Sequence, residues 1–251
     1  MGWFGGQCGY CNSCRRGDFV TCVNLIIPGL TTHGGYAENV IVEARALAAI
    51  PDELPSAAAA PLLCAGVTTF NALRNSRLRS GDLVAIHGIG GLGHLAVQYA
   101  RHMSFHTVAI ARRADNEKLA LELGAEQCSA QDAATALQKL GGAHAVLTIM
   151  ASGKAMGPLI AGLRPRGRLI VVGGSQDPVE VPTTQLILGS RGIQGEAVGT
   201  AIDIEDTLRF SVRHNVRPMN EVVDLSQAAS AYARMMANEA RFRMVLDVLS
   251  M

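Results

Sequence analysis

From residue 83 onward, apolar runs and amphipathic stretches alternate along the chain. Leu83-Val84-Ala85-Ile86-His87 is a continuous apolar run of the length of a buried strand. After a glycine-rich turn, Leu92, Leu95, Ala96, Tyr99, Ala100 and Met103 fall at i, +3, +4, +7, +8 and +11, which is one face of a helix. Thr107–Ala111 predicts a second strand, and Asn116–Leu123 a second helix that Gly124 stops. Ala145–Ile149 and Leu169–Val172 predict further apolar strands, separated by a helix around Met156–Leu163. Such alternation, with strands buried on both faces, is the pattern of a doubly wound parallel sheet. Ser190–Gly195 reads as a late strand at the sheet edge, and the chain closes with a helix over Gln227–Met236 and a strand over Phe242–Val248.

The first 55 or so residues have another texture, turn-rich with Gly and Pro, and offer one short extended stretch, Tyr36–Val42. No internal repeat, low-complexity tract or flexible linker interrupts the chain, so two intimately packed domains are expected. A length of 251 residues, 49% of them apolar and 17% charged, suits that reading. The apolar run Ala57–Leu63 is short and broken by Pro61, so no membrane span is expected. A net charge of +1 and 4% aromatics point away from nucleic acid and anionic membranes. The N-terminus has neither a basic nor an apolar targeting region, and the expected location is the cytoplasm.

Candidate chemistry begins at Cys8, Cys11, Cys14 and Cys22, spaced C-x2-C-x2-C-x7-C. Four thiolates on short turns complete the tetrahedron of a Zn2+ and leave no position for water or substrate, so the expected metal is structural. A disulfide pair is the alternative, disfavoured in a cytosolic setting.

Gly88-Ile89-Gly90-Gly91-Leu92-Gly93 fits G-x-G-x-x-G between a strand and a helix, the context a dinucleotide-binding turn requires. Gly88 permits the turn, Gly90 the approach of a pyrophosphate, and Gly93 close packing of helix on strand. About 20 residues on, where NAD sites place an acid on the ribose, stand Arg112 and Arg113. Planar donor forks favour a 2′-phosphate, hence NADP, with NAD possible if both arginines are simply solvated.

The zinc lobe, the segment Pro61-Leu62-Leu63-Cys64-Ala65-Gly66-Val67-Thr68-Thr69 and the turn Gly88–His94 occur in that order, and Ala240–Leu246 closes the pattern. Together they resemble the zinc-dependent alcohol dehydrogenases of the medium-chain dehydrogenase/reductase superfamily, near the cinnamyl-alcohol-dehydrogenase-like group. The resemblance implies an α/β fold: a Rossmann doubly wound parallel sheet plus an incomplete GroES-like, β-rich catalytic domain. The implied boundaries are 1–61 for the GroES-like remnant with its zinc lobe, 62–212 for the Rossmann domain, and 213–251 for the return to the catalytic domain. It also implies Cys64 as a catalytic residue and ligand of a catalytic zinc, although free cysteine by itself reads as a small buried apolar side chain. Thr68 is implied near the nicotinamide and Arg243 at the pyrophosphate, beside Gly88, Gly90, Gly91, Leu92, Gly93, Arg112 and Arg113 for the cofactor. Cys128 reads as core, and His87 and His94 as packing or helix-terminus residues.

The implied activity is hydride transfer between a nicotinamide cofactor and a small primary alcohol or aldehyde, in a homo-oligomer. Relatives by this resemblance carry the first catalytic cysteine, a hydroxyl relay and a Gly-His-Glu motif ahead of the zinc lobe, whereas this chain begins at Met1 just before it. The expectation is therefore an incomplete catalytic-zinc site, an exposed edge of the GroES-like core and impaired turnover. A zinc-independent NADPH reductase of the same superfamily and a non-catalytic nucleotide-binding dimerisation module are the alternatives.

Overall fold

Up to residue 55 the backbone follows turns rather than ladders, as its glycines and prolines dictate. The computed structural model, which describes residues 1–111, 113–129 and 132–248, forms here a four-residue helix α1 (Asn12–Arg15) and a 3₁₀ turn at Ala44–Ala46. Isolated bridges join Gly6 to Ile26 and Pro28 to Thr32. The expected extended stretch Tyr36–Val42 forms no strand, because no described strand lies beside it to take its N–H and C=O groups. Tyr36, Val40 and Ile41 stand exposed.

Helix α2 (Ser56–Pro61), a π turn at Leu62–Gly66 and helix α3 (Val67–Arg74) follow without a break. By length and composition the run Ser56–Arg74 could cross a membrane, which corrects the sequence expectation. However, 67% of its apolar window is buried within the protein, as in a core helix. Pro61 does not end the run. Its missing N–H leaves the carbonyl of Ala57, four residues back, without a helical donor, and the Asn220 side-chain amide donates to that carbonyl at 2.6 Å.

The strand–helix alternation then appears as expected. In order come β1 (Leu83–His87), α4 (Gly93–His102), β2 (His106–Ile110), α5 (Ala114–Glu122), β3 (Gln127–Ser129), α6 (Ala133–Lys139) and β4 (Ala143–Thr148). They continue with α7 (Gly153–Met156), a 3₁₀ turn Gly157–Gly162, β5 (Leu163–Val171), α8 (Thr183–Gly189) and β6 (Gly192–Gly195). The six strands are all parallel, in the order β3-β2-β1-β4-β5-β6. That is the doubly wound Rossmann arrangement, with its switch point between β1 and β4. Val108, Val146 and Leu169 from the strands bury themselves against Leu137, Met156, Leu159 and Ile160 on one face.

Two departures from the periodicity have local causes. The helix expected over Met156–Leu163 splits into α7 and a 3₁₀ turn, where Pro158 supplies no N–H to continue an α-helical ladder. Strand β5 begins at Leu163 rather than Leu169, and its register against β4 jumps from Ala143↔Leu163 to Ala145↔Arg168. The four residues Arg164–Gly167 thus face the single residue His144 and bulge out of the sheet.

The last segment contains α9 (Ala201–Arg213), β7 (Asn220–Asp224), α10 (Ala228–Met236) and β8 (Arg243–Asp247). Thr200 and Asp203 form a capping box at α9, the Asp203 carboxylate accepting from Thr200 N–H at 2.8 Å. Strands β7 and β8 pair in parallel, with α10 as their crossover. The chain divides into two compact units: Met1–Val67 with Val198–Met251, and Thr68–Ala197. Residues 62–67 and 198–212, placed with the Rossmann domain by the sequence reading, cluster in the first unit, where the Leu62–Gly66 turn packs on α9.

The Asn220–Ala57 bond gives a direct test. Asn220→Ala leaves a carbonyl unsatisfied beneath Pro61 and should destabilise the first unit by about 1–3 kcal/mol. Urea unfolding followed by Trp3 fluorescence measures it. A change within experimental error would show that water satisfies the Ala57 carbonyl equally well.

Candidate functional site

In the first unit, α1 and the turns around it gather the four cysteines. Cys11 caps α1 and Cys14 lies within it, so one helical turn sets both thiols on one side. Sulfur–sulfur distances are 3.6 Å for Cys8–Cys22, 3.9 Å for Cys11–Cys22 and 4.0 Å for Cys8–Cys14. All four sulfurs lie within 4.8 Å of one another. Four sulfurs at about 2.3 Å from a tetrahedral Zn2+ would stand about 3.8 Å apart, so the donor set and its spacing fit a structural zinc. The cysteines are free thiols, not disulfides. Backbone N–H groups of Cys8 and Asn24 each point at Cys22 Sγ at 3.4 Å, the outer support a thiolate ligand requires. Desolvation resists ionisation of Cys8, but the N–H groups of Tyr10 and Cys11 and its side-chain neighbours Asn24 and Cys22 bring its pKa down to about 6. Burial first, and then the crowding thiols, push Cys14 up to about 12.

In the second unit, the glycine turn leaves the C-terminal end of β1. Gly88 has φ +98°, a conformation that costs an L side chain clashes, and a Cβ there would also strike Met150. A Cβ on Gly93 would lie 1.9 Å from the Gly88 carbonyl oxygen, so helix and turn pack at a distance only glycine allows. At Gly90 a Cβ would meet nothing within 4 Å: open space faces this backbone, as the approach of a pyrophosphate needs. The buried His94 ring places Nδ1 2.8 Å from the Gly90 carbonyl oxygen, which also accepts the His94 N–H at 3.1 Å. The i, i+4 spacing of Gly90 and His94 is the sequence signal for this anchor, and the ring's role goes beyond the packing expected of it. At the switch point itself, His87 Nδ1 lies 3.0 Å from Thr148 Oγ1, joining the ends of β1 and β4. An open glycine turn at the switch point, opening a ten-residue helix, fits a dinucleotide.

The remaining expected cofactor residues are spread over both units. Thr68 is buried. Arg113 is exposed and precedes α5, whose first turn carries Asp115 and Glu117; Arg112 and the Cys128 side chain lie outside the described residues. Arg243, on β8, keeps a buried Nε with no hydrogen-bond partner among the described residues. A buried guanidinium nitrogen left unpaired is costly, and an anion would satisfy it.

Cys64 sits in the π turn and, with Tyr36, Pro61, Arg243 and Leu246, lines a cavity of about 430 Å³ within the first unit. Its residue is accessible, yet burial raises the thiol's pKa while the Arg243 guanidinium pulls it down. Among the described residues, the zinc lobe is the one group of three or more His, Cys, Asp or Glu side chains close enough to hold a metal. Cys64 has no such co-ligands there. The described residues therefore do not fit a catalytic zinc at Cys64.

Fold and sites together define a protein with a dinucleotide-type glycine turn on a Rossmann sheet and a four-cysteine lobe suited to zinc. Known proteins carry this to the family. Residues 91–213 match the zinc-binding dehydrogenase family. The chain is 40% identical over 252 residues to the alcohol dehydrogenase patD of Penicillium expansum, covering 98% of this chain and 73% of that one. It is 32% identical to the NADP-dependent alcohol dehydrogenase C 1 of Mycolicibacterium smegmatis, covering 100% of this chain and 75% of that one. A cinnamyl alcohol dehydrogenase structure from Sorghum bicolor superposes with a TM-score of 0.88 at 31% identity, covering 100% of this chain and 74% of that one. The chain belongs to the zinc-type alcohol dehydrogenases of the medium-chain dehydrogenase/reductase superfamily, oxidoreductases that use a nicotinamide cofactor on a small alcohol or aldehyde.

Metal analysis of the purified chain should give about one tightly held zinc, because four thiolates close the shell. Cys14→Ser should lose that zinc and lower the melting temperature, since binding energy at such a site is folding energy. Two equivalents would show that Cys64 finds ligands outside the set described above.

Proposed function

We propose that this chain binds NADP(H) in preference to NAD(H) on the turn Gly88–Gly93 and carries the binding elements for reversible oxidation of a primary alcohol to an aldehyde. The observation that supports it most is the open backbone face at Gly90, held outward by His94 at the switch point of the sheet. When bound, the nicotinamide supplies the hydride chemistry. Gly88, Gly90, Gly91, Leu92 and Gly93 then seat the pyrophosphate at the start of α4, and in the first unit the buried Nε of Arg243 favours an anion. The exposed Arg113, following β2 with no acid in the window where an NAD site places one on the ribose, supports a 2′-phosphate and hence NADP. The buried Thr68 would serve the nicotinamide end of the cofactor. Cys64 forms a wall of the substrate cavity, and its raised pKa keeps it a neutral thiol at pH 7.

A second reading rests on the solitary Cys64. With no co-ligands among the described residues, orientation of substrate and cofactor has to do the work of a Lewis acid. Slow turnover follows, because a missing oxyanion stabiliser costs on the order of 10²–10³ in kcat. Self-association through the edge strand β6 also belongs to this proposal, since an unpaired edge invites a symmetric partner; light scattering gives the mass that decides it.

Fluorescence titration should show NADPH binding roughly tenfold to a hundredfold tighter than NADH, the worth of one charge-assisted pair. Arg113→Ala should shrink that ratio, and equal affinities in both proteins would remove the NADP assignment. In an aldehyde-reduction assay the zinc-loaded chain should turn over far below ordinary enzymatic rates. Fast turnover that disappears in Cys64→Ala would mean that Cys64 does hold a catalytic metal.

A further inference from the structure

At the other end of the Rossmann sheet, where the strands begin, lies an open cavity of about 300 Å³ lined by Arg77, Arg164, Arg166 and Arg168, with His144 and the single acid Asp82. The β5 bulge creates it: four residues facing His144 throw Arg164 and Arg166 out of the ladder beside Arg168. Both Arg77 and Arg166 take left-handed backbone conformations, φ 60° and 64°, that side chains rarely adopt.

The charges here do not cancel. Asp82 is already engaged, one oxygen lying 3.0 Å from His144 Nε2 and the other accepting the Arg79 N–H at 2.8 Å. His144 Nδ1 accepts the Leu83 N–H at 3.0 Å, so its proton sits on Nε2 and points to Asp82. Arg164 Nη1 abuts that same Nε2, which has no lone pair to offer it. Arg168 donates to Gln194 at 3.0 Å, and neither Arg77 nor Arg166 has a hydrogen bond or ion pair among the described residues. In a chain of net charge +1, four guanidinium groups around one cavity with one occupied carboxylate make a local surplus of cation.

From this we infer that the cavity is a binding site for a multiply charged phosphate, distinct from the glycine turn at the opposite end of the strands. Guanidinium forks match phosphate oxygens bidentately, and a polyvalent anion uses several at once. The cavity's size suits a diphosphate group rather than a whole dinucleotide. The diphosphate comes either free or as the terminus of an organic ester.

The test is calorimetric titration of the zinc-loaded chain, with NADPH saturating the glycine turn and sulfate matching ionic strength. Inorganic pyrophosphate and methyl diphosphate are the two probes. Saturable one-site binding of either supports the site, and the tighter probe identifies the free or the esterified source. Arg77→Gln with Arg166→Gln should weaken it at least about tenfold, while Arg79→Gln, on the same surface but outside the cavity lining, should leave it unchanged. Loss of binding when NADPH is present, an unaltered affinity in the double variant, or an equal loss in Arg79→Gln would each overturn the inference. Binding without NADPH is measured alongside, so a failure of the cofactor assignment is told apart from a failure here.

Discussion

The pairing of β1 with β4 is the constraint on which the second unit's chemistry depends. Val84–His87 pairs in parallel with Ala145–Thr148, and on either side of this ladder the strand order runs outward in opposite directions. Connections leave these two strands toward opposite faces, so no helix covers the gap above their C-terminal ends. The turn from β1 must cross that gap within a few residues. Its tightness demands a positive φ at Gly88 and near-contact of Gly93 with the Gly88 carbonyl. What remains is a backbone edge exposed at Gly90, with His94 below it and the His87–Thr148 pair holding the strand ends together. Binding capacity here is a consequence of topology, with glycine chosen where topology leaves no room.

The first unit is held by other means. Its opening residues have little regular backbone and many exposed side chains, so apolar burial contributes less there than in the sheet. There the four cysteines form a cluster whose spacing suits one cation, Phe4 is buried and an isolated bridge joins Gly6 to Ile26. Farther along, side chains complete what the backbone leaves open, as Asn220 does for the carbonyl beneath Pro61 and Glu205 for the Ala49 N–H at 3.1 Å. These bonds join residues more than 150 positions apart, so the two chain segments of the unit support one another.

The Rossmann sheet also presents two ends of unlike chemistry. At the C-terminal end of the strands the donors are backbone amides and the geometry is set by glycine. At the N-terminal end they are guanidinium groups, two of them, Arg164 and Arg166, delivered by a bulge. A dinucleotide requires the close approach that only the first offers, whereas a compact polyanion is served by converging side-chain charge. The distinction follows from reach: an arginine spans the gap that a backbone N–H cannot.

Features carried by neighbours in sequence were legible in the sequence alone. The cysteine spacing determined the four-thiol cluster, because its members fall within fifteen residues and around one helical turn. The apolar runs determined the parallel sheet, and the glycines with their flanking strand and helix determined the tight turn between β1 and α4. Tertiary structure alone decided what depends on distant partners. Tyr36–Val42 has strand-like residues but no described strand beside it, and extension without a ladder does not persist. Residues 198–212 joined the first unit because α9 found its apolar partner in the Leu62–Gly66 turn. Cys64 and Arg243 came to share a cavity, and four arginines to ring another, although nothing in local periodicity records either meeting. Periodicity reports which face of an element is buried; which element buries it is settled only when the whole chain satisfies its hydrogen bonds and apolar surfaces at once.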